Sequence, residues 1–450
     1  MNKIAVISVC LSVCLWGQTA CADLFKAQEF TLANGLHCVV IENHKAPVIR
    51  QTVLYKVGSV DEEKGKGGSA HLLEHLMFRG TKYAKDGEFN RVMEKYGVAD
   101  NAYTSHDVTG YYQFADVSKL EILLAYEADR MANLNFDEKA FEAERKIVYQ
   151  ERMQRVENSP TSPFYERSNS VLWGNNPHGQ PVTGLPEEIM ALKSEDIMNF
   201  YHKYYTPSNA LLILSGDITA KEARPLVEKY YGKIKSHEVK RKTHETPKLH
   251  VYEILEMKLP KVNSIKLYDK YLLPKHSELK NKIYDYIILG EYLGGGNTSA
   301  MYKDLVLKQK KALSVRATYS FVTRDKTVFT FKFVPQNEDE FDREETLALL
   351  RQSADEAMNN FSENKLAQIK RKMLADLVFV NDNPSTASGW AGALMVVGFT
   401  LAEAQSYEDN INAVTLQGVK EAYEELKEAP RVSSVLLPLK DKKTDEGENK

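Results

Sequence analysis

The sequence predicts an α+β protein built from two homologous domains, each a mostly antiparallel β-sheet flanked by α-helices. Three observations predict it. Strand-like and helix-like segments are interleaved along the chain, and a polar stretch without apolar period, "SHEVKRKTHETPKLH" (236–250), interrupts them. After that stretch the same order of elements recurs, giving two halves of roughly 200 residues each. The chain of 450 residues, with 43% hydrophobic and 27% charged residues, is long enough for two well-buried cores. With a formal charge of −3, nothing in its overall balance favours nucleic acid or an anionic membrane.

In chain order, "MNKIAVISVCLSVCLWGQTACAD" carries a basic start, an apolar run and an A-x-A-like end (Ala20-Cys21-Ala22). This reads as a secretory signal, too short to span a bilayer, and predicts export to a bacterial periplasm. Lipid attachment at Cys21 is the alternative, although Gln18 stands where such signals usually carry an aliphatic residue. With Cys10, Cys14 and Cys21 in the signal, the mature chain keeps only Cys38, so neither an internal disulfide nor a thiolate metal site is expected. The resulting division is a signal at 1–22, a first domain at 23–235, a linker at 236–250, a second domain at 251–438 and a charged, disordered tail at 439–450.

"EFTLANGLHCVVIEN" and "VIRQTVLYKVGSV" read as strands, the first folded into a hairpin at Ala33-Asn34-Gly35. Gly65, Gly67 and Gly68 lead to Ser69, an expected N-cap, and to a helix from Ala70. Further helices are expected near 86–97, 117–133 and 137–157, and a buried strand at "NALLILSGD" (209–217). The second half repeats the scheme with a strand at "NSIKLYDKYLL", a helix near 279–293, strands around 312–335 and helices to about 428. Neither "GKGG" nor Gly294–Gly296 precedes a Lys-Ser/Thr pair, so both are turns rather than phosphate loops.

The helix from Ala70 carries the chemistry. In "HLLEH", His71 and His75 are one turn apart on one face, with Glu74 on the same side. Two neutral imidazoles so placed can grip Zn²⁺, and the carboxylate can take a proton from water activated there. Chance alone produces this pattern in on the order of one such chain in a hundred. The flanking Leu72, Leu73, Leu76, Met77 and Phe78 make an unpartnered polar cluster costly. A third ligand is needed, and "FEAERKIVYQER" offers Glu144 and Glu151, seven residues apart and on one face. Helix geometry does not choose between them.

These pieces, with "NAYTSHDVTGYY", "PHGQPVTG" and "YHKYYTPSNALLILSGD", closely resemble the pitrilysin-type zinc peptidases with an inverted HxxEH motif, nearest the mitochondrial processing peptidase branch. The resemblance covers most of the mature chain and is looser in its second half. It implies the processing-peptidase-like fold, one Zn²⁺ per chain held by His71, His75 and Glu151, and Glu74 as the catalytic base. It implies that Glu144 orients a zinc-binding histidine. It also implies that Asn101, Ala102 and Tyr103 lie on an edge strand that an extended substrate joins by β-addition. His106 and His178 are read as loop and turn residues.

Family members with a complete site carry an arginine and a tyrosine seven residues apart after a glycine-rich turn. Aligned without gaps, those positions fall here on Val306 and Leu313, and the nearby Arg316 and Tyr319 are only three apart. The expectation is a zinc endopeptidase or oligopeptidase acting on peptides or unfolded segments. It would need a homologous, zinc-less partner subunit to supply the missing pair, in a heterodimer rather than a homodimer. The alternatives are a periplasmic zinc- or peptide-binding protein without turnover and a structural core-type subunit. No nucleic-acid partner and no membrane span are expected.

Overall fold

The computed structural model describes residues 25–241, 244 and 252–439. The signal at 1–22, much of the linker and nearly all of the tail lie outside the described residues.

The first sheet is built from β1 (Ala27–Thr31), β2 (His37–Glu42), β3 (Val48–Tyr55), β4 (Ala99–Thr104), β5 (Thr109–Asp116) and β6 (Ala210–Gly216), in the order β1-β2-β6-β3-β5-β4. The hairpin joining β1 to β2 turns through Gly35 in the left-handed region (φ +87°). The second sheet is built from β7 (Glu253–Leu259), β8 (Lys266–Lys275), β9 (Ala312–Ser320), β10 (Lys326–Pro335) and β11 (Arg431–Pro438), in the order β7-β11-β8-β10-β9. Each sheet contains a single parallel pairing, β2 with β6 and β7 with β11, and is otherwise antiparallel. Matching β7, β11, β8, β10 and β9 to β2, β6, β3, β5 and β4 reproduces every pairing and direction. The recurrence seen in the sequence is therefore a repeated topology, with β1 added to the first domain.

Strand alternation explains why both sheets are covered on two sides. On one face of the first sheet Cys38, Val40, Ile49, Val53, Leu212 and Leu214 pack under the domain's own helices. The other face presents Val39, Ile41, Leu54, Leu211 and Ile213 to the core of the second domain, where the helix Pro384–Val396 crosses it. The exchange is reciprocal. The first-domain helix Ser162–Trp173 lies on the second sheet, with Phe164 against Tyr268 and Leu436, and Leu172 and Trp173 against Leu272 and Val432.

In the first domain α1 (Ser69–Leu76), α2 (Glu88–Lys95), α3 (Leu120–Asn133), α4 (Glu138–Arg152) and α5 (Ser162–Trp173) carry or frame the motif residues. Helix α4 continues as a π-helical turn over Met153–Glu157, a local rewinding that is frequent beside functional sites. Ser69 is not the N-cap of α1. Gly68 holds that position at φ +89°, and its missing Cβ would sit 2.8 Å from the carbonyl oxygen of Thr183. Ser69 instead donates through Oγ to the carbonyl of Lys66 at 2.7 Å. The first-turn amides of α1 are served by Glu62, whose carboxylate accepts from Ala70 N at 2.8 Å and Gly68 N at 3.1 Å.

Candidate metal centre

Helix α1 is pinned from below. Leu72, Leu73 and Leu76 are fully buried, each such burial stabilising the fold by roughly 1.5–3 kcal/mol, and their side fixes where the opposite side points. His71, Glu74 and His75 thereby face a cleft of about 1200 Å³, which Glu144 and Glu151 of α4 also line. Glu151 Oε2 lies 3.4 Å from His75 Nε2 and 3.8 Å from His71 Nε2. The three donor atoms lie within 4.8 Å of one another, and the two imidazole planes stand at 86°. Two imidazole nitrogens and one carboxylate oxygen are the donor set of an open, catalytic zinc site, and the residues present fit a Zn²⁺ ion.

The electrostatics separate the two histidines. Burial, reinforced by the neighbouring His75, lowers the pKa of His71 to about 4, leaving a neutral ring suited to ligation. Burial works against charge on His75 too, but hydrogen bonds to Glu144 and Glu151 outweigh it and raise its pKa to about 9. Without a metal this ring holds a proton where a cation is wanted.

Glu144 is buried and engaged on both oxygens. Oε2 faces His75 Nδ1 at 2.9 Å, and Oε1 accepts from Arg79 through Nε at 2.6 Å and through Nη2. Burial opposes its charge, while His75 and Arg79 hold its pKa below the ordinary carboxylate range. Glu151 makes an ion pair with Arg155 one turn along, using the oxygen turned away from the histidines. The hydrogen bond to His75 leads the causes that lower its pKa. Arg152 anchors the end of α4 by a bidentate grip on Glu166 at 2.6 and 2.8 Å, with a further bond to Thr183.

Glu74 sits in the same cleft with its pKa raised by burial, and its carboxylate accepts from the hydroxyl of Thr104 on β4. That bond ties the motif helix to the edge of the first sheet. Asn101, Ala102 and Tyr103 occupy this edge strand, which pairs with β5 on one side only, and all three line the cleft. The structure thus brings His71, Glu74, His75, Glu144, Glu151, Asn101, Ala102 and Tyr103 to one cleft.

Two neighbours escaped the sequence reading. Arg79 lies four residues beyond His75 on the same helical side, and that spacing could have found it. Thr104 contacts Glu74 only through the fold. His178 is no simple turn residue: it is buried, with Nε2 at 3.2 Å from both oxygens of Asp107 and its ring stacked on Trp173.

In the second domain Val306 lies in a π-helical turn (Tyr302–Lys308) against the core, and Leu313 is 55% exposed on β9. Arg316 and Tyr319 project from opposite faces of β9. Arg316 is exposed opposite Lys332, whereas Tyr319 lies opposite Phe329 with its hydroxyl on Thr327 Oγ1 at 3.0 Å. An odd separation along a strand sends the two side chains to opposite faces of the sheet, which makes the pair a poor substitute.

The chain matches the family described as Insulinase (Peptidase family M16) over residues 38–184 and the Peptidase M16 inactive domain over 191–373. It is 31% identical over 310 residues to the zinc protease PqqE of Helicobacter pylori, covering 68% of this chain and 69% of that one. It is also 31% identical over 215 residues to a probable mitochondrial-processing peptidase subunit beta of Schizosaccharomyces pombe, covering 47% and 46%. The crystal structure of a protease from Helicobacter pylori matches with a TM-score of 0.84 and 27% identity, over 92% of this chain and 100% of that one.

Proposed function

Because the chain belongs to peptidase family M16, we propose that it is a zinc-dependent endopeptidase or oligopeptidase hydrolysing peptides or unfolded segments. The observation that carries this reading is the convergence of His71, His75 and Glu151 beside an independent, half-buried carboxylate, Glu74, at the edge of an open strand. A site for storage or structure needs the first three and has no use for the fourth.

In this reading His71, His75 and Glu151 hold one Zn²⁺, with Glu144 fixing the orientation of His75 through Nδ1. When bound, the metal polarises the scissile carbonyl and lowers the pKa of water from ~16 towards ~7. Glu74 takes the proton of the attacking water and returns it to the leaving amine. Burial raises its pKa above the ordinary carboxylate value, which favours its accepting that proton. Thr104 holds the carboxylate in place, and an extended substrate adds to the free edge of β4 along Asn101, Ala102 and Tyr103.

The placement of Arg316 and Tyr319 on opposite faces of β9, with Val306 and Leu313 at the aligned positions, supports a requirement for a homologous, zinc-less subunit that brings an arginine and a tyrosine to the substrate. The kinship with a processing-peptidase beta subunit is in keeping with such a heterodimer. The amino-terminal apolar segment supports export to the periplasm. Among the described residues no helix is long and apolar enough to cross a membrane.

The test is cleavage of a quenched, unstructured peptide library by the full chain alone, by the chain mixed with such a homologue, and by both again carrying Glu74→Gln. Cleavage only in the mixture, abolished by Glu74→Gln, is the expected result. Full cleavage by the chain alone sinks the partner requirement. Stoichiometric zinc with no cleavage in either setting sinks the peptidase.

A further inference from the structure

Tyr103 borders two cavities. One is the cleft that holds the motif residues; the other, of about 390 Å³, lies where the two domains meet. Tyr103 of β4 and Val108 of the β4–β5 turn wall it from the first domain, Trp173 from α5, Val322 from the β9–β10 loop, Val328 from β10, and Val396 from the crossing helix. Its volume falls in the range of small-ligand sites, roughly 300–1,000 Å³. Most polar side chains in its wall are committed elsewhere: His178 and Asp107 bond each other, Asp107 also accepts from Arg324 Nε at 2.9 Å, and Asn169 donates to the carbonyl of His178, while Ser320 and Lys326 stand at its border. What the cavity offers an occupant is apolar surface, and Val322 at its rim is 44% exposed.

Strand geometry connects this cavity to the proposed substrate path. On β4, Thr104 points to the helix side and reaches Glu74. Tyr103 points to the opposite face, where its ring lies on Gly110: a Cβ there would sit 2.7 Å from that ring. A peptide added to the free edge of β4 continues the alternation. Side chains level with Thr104 look towards Glu74, and side chains level with Tyr103, one residue or about 3.3 Å away, look towards the interdomain cavity.

We propose that this cavity is a specificity pocket that receives one large apolar side chain of the peptide substrate, from a position immediately next to the residues held at the site. The inference rests on the peptidase reading and names its substrate class more closely: extended peptides with a bulky hydrophobic residue at one fixed position. Because the pocket is made by both domains, selectivity depends on their docking while the metal ligands come from one domain alone.

The test is equilibrium binding, which is independent of turnover. Fluorophore-labelled, unstructured decapeptides, identical except for Phe, Leu, Ser or Asp at one scanned position, are titrated against the zinc-loaded full chain carrying Glu74→Gln. At a single position the Phe and Leu peptides should bind roughly tenfold or more tightly than the Ser and Asp peptides. The Phe peptide should also change the fluorescence of Trp173. Val322→Asp at the rim, and separately Ala393→Trp, which fills the cavity, should bring the Phe peptide down to the affinity of the Ser peptide. Equal affinities for all four peptides at every position overturn the proposal, as does an apolar preference that survives both substitutions. Failure of the peptidase reading shows separately, as absence of hydrolysis with Glu74 intact both by the chain alone and by the chain mixed with the homologous subunit.

Discussion

Glu144 serves two partners at once, and this makes Arg79 more than a surface charge. By binding one oxygen of Glu144, Arg79 leaves the other for His75 Nδ1 and so sets the direction of His75 Nε2. Arg79→Ala should weaken zinc binding about 10- to 100-fold in a chelator competition, with partial recovery in Arg79→Lys. Glu74→Gln should leave zinc affinity nearly unchanged and lower turnover by about 10²–10⁴-fold. The proton on His75 gives a pH signature. With its pKa raised from 6.5 to about 9, zinc binding between those values displaces that proton, and above 9 it does not. Calorimetry in buffers of different ionisation heat reads this directly. For the metal-free chain the sign follows from linkage: the raised pKa contributes stability that is complete below pH 6.5 and lost as pH rises through about 9. Its Tm should fall across that window, and zinc should remove the dependence.

Helix α1 depends on a close approach of backbones at its start. Gly184 has φ +77°, and a Cβ on it would lie 2.4 Å from the carbonyl carbon of Gly67, so the two loops touch main chain to main chain. The motif helix is thus aimed by "GKGG" and "PVTG" together, pieces more than a hundred residues apart. Gly184→Ala should destabilise the fold by about 1–3 kcal/mol and reduce zinc affinity as well, because the strain falls on the turn that directs His71. Chemical denaturation and zinc titration of the same variant separate the two effects. A loss of stability with unaltered zinc affinity would show that α1 is aimed by its buried leucines alone.

The two domains are joined by a charged cluster as well as by apolar helices. Arg324 of the second domain binds Asp61 at 2.6 Å and Asp107 at 2.9 Å, both in the first, and Asp107 also meets His178. Burial opposes charge on Asp107, yet His178 and Arg324 outweigh it and hold its pKa well below the ordinary carboxylate range. Its contribution is therefore complete above about pH 3.9 and lost only as pH falls through the depressed folded value. Arg324→Ala removes the partner that Asp61 and Asp107 share, leaving Asp107 with His178 and Asp61 with Arg241, and should cost roughly 1–3 kcal/mol. Calorimetry should then show a lower Tm and a transition broadened or split between the domains. An unchanged single transition would assign the docking to the apolar helices.

Patterns read along the chain determined the α+β class, the doubled architecture and the grouping of His71, Glu74 and His75 on one helix face. These properties are local or periodic. Apolar alternation marks strands, and histidines one turn apart must share a helix face whatever surrounds them. Glu144 and Glu151 were equivalent by spacing, and only resemblance separated them before the structure placed Glu151 against both Nε2 atoms and Glu144 behind His75. The hold of Thr104 on Glu74, the burial of His178, the opposed faces of Arg316 and Tyr319, and the cavity between the domains were decided by tertiary structure alone. Each joins residues distant in sequence or depends on strand pairing and register, and one sequence read along its length does not encode which surfaces meet.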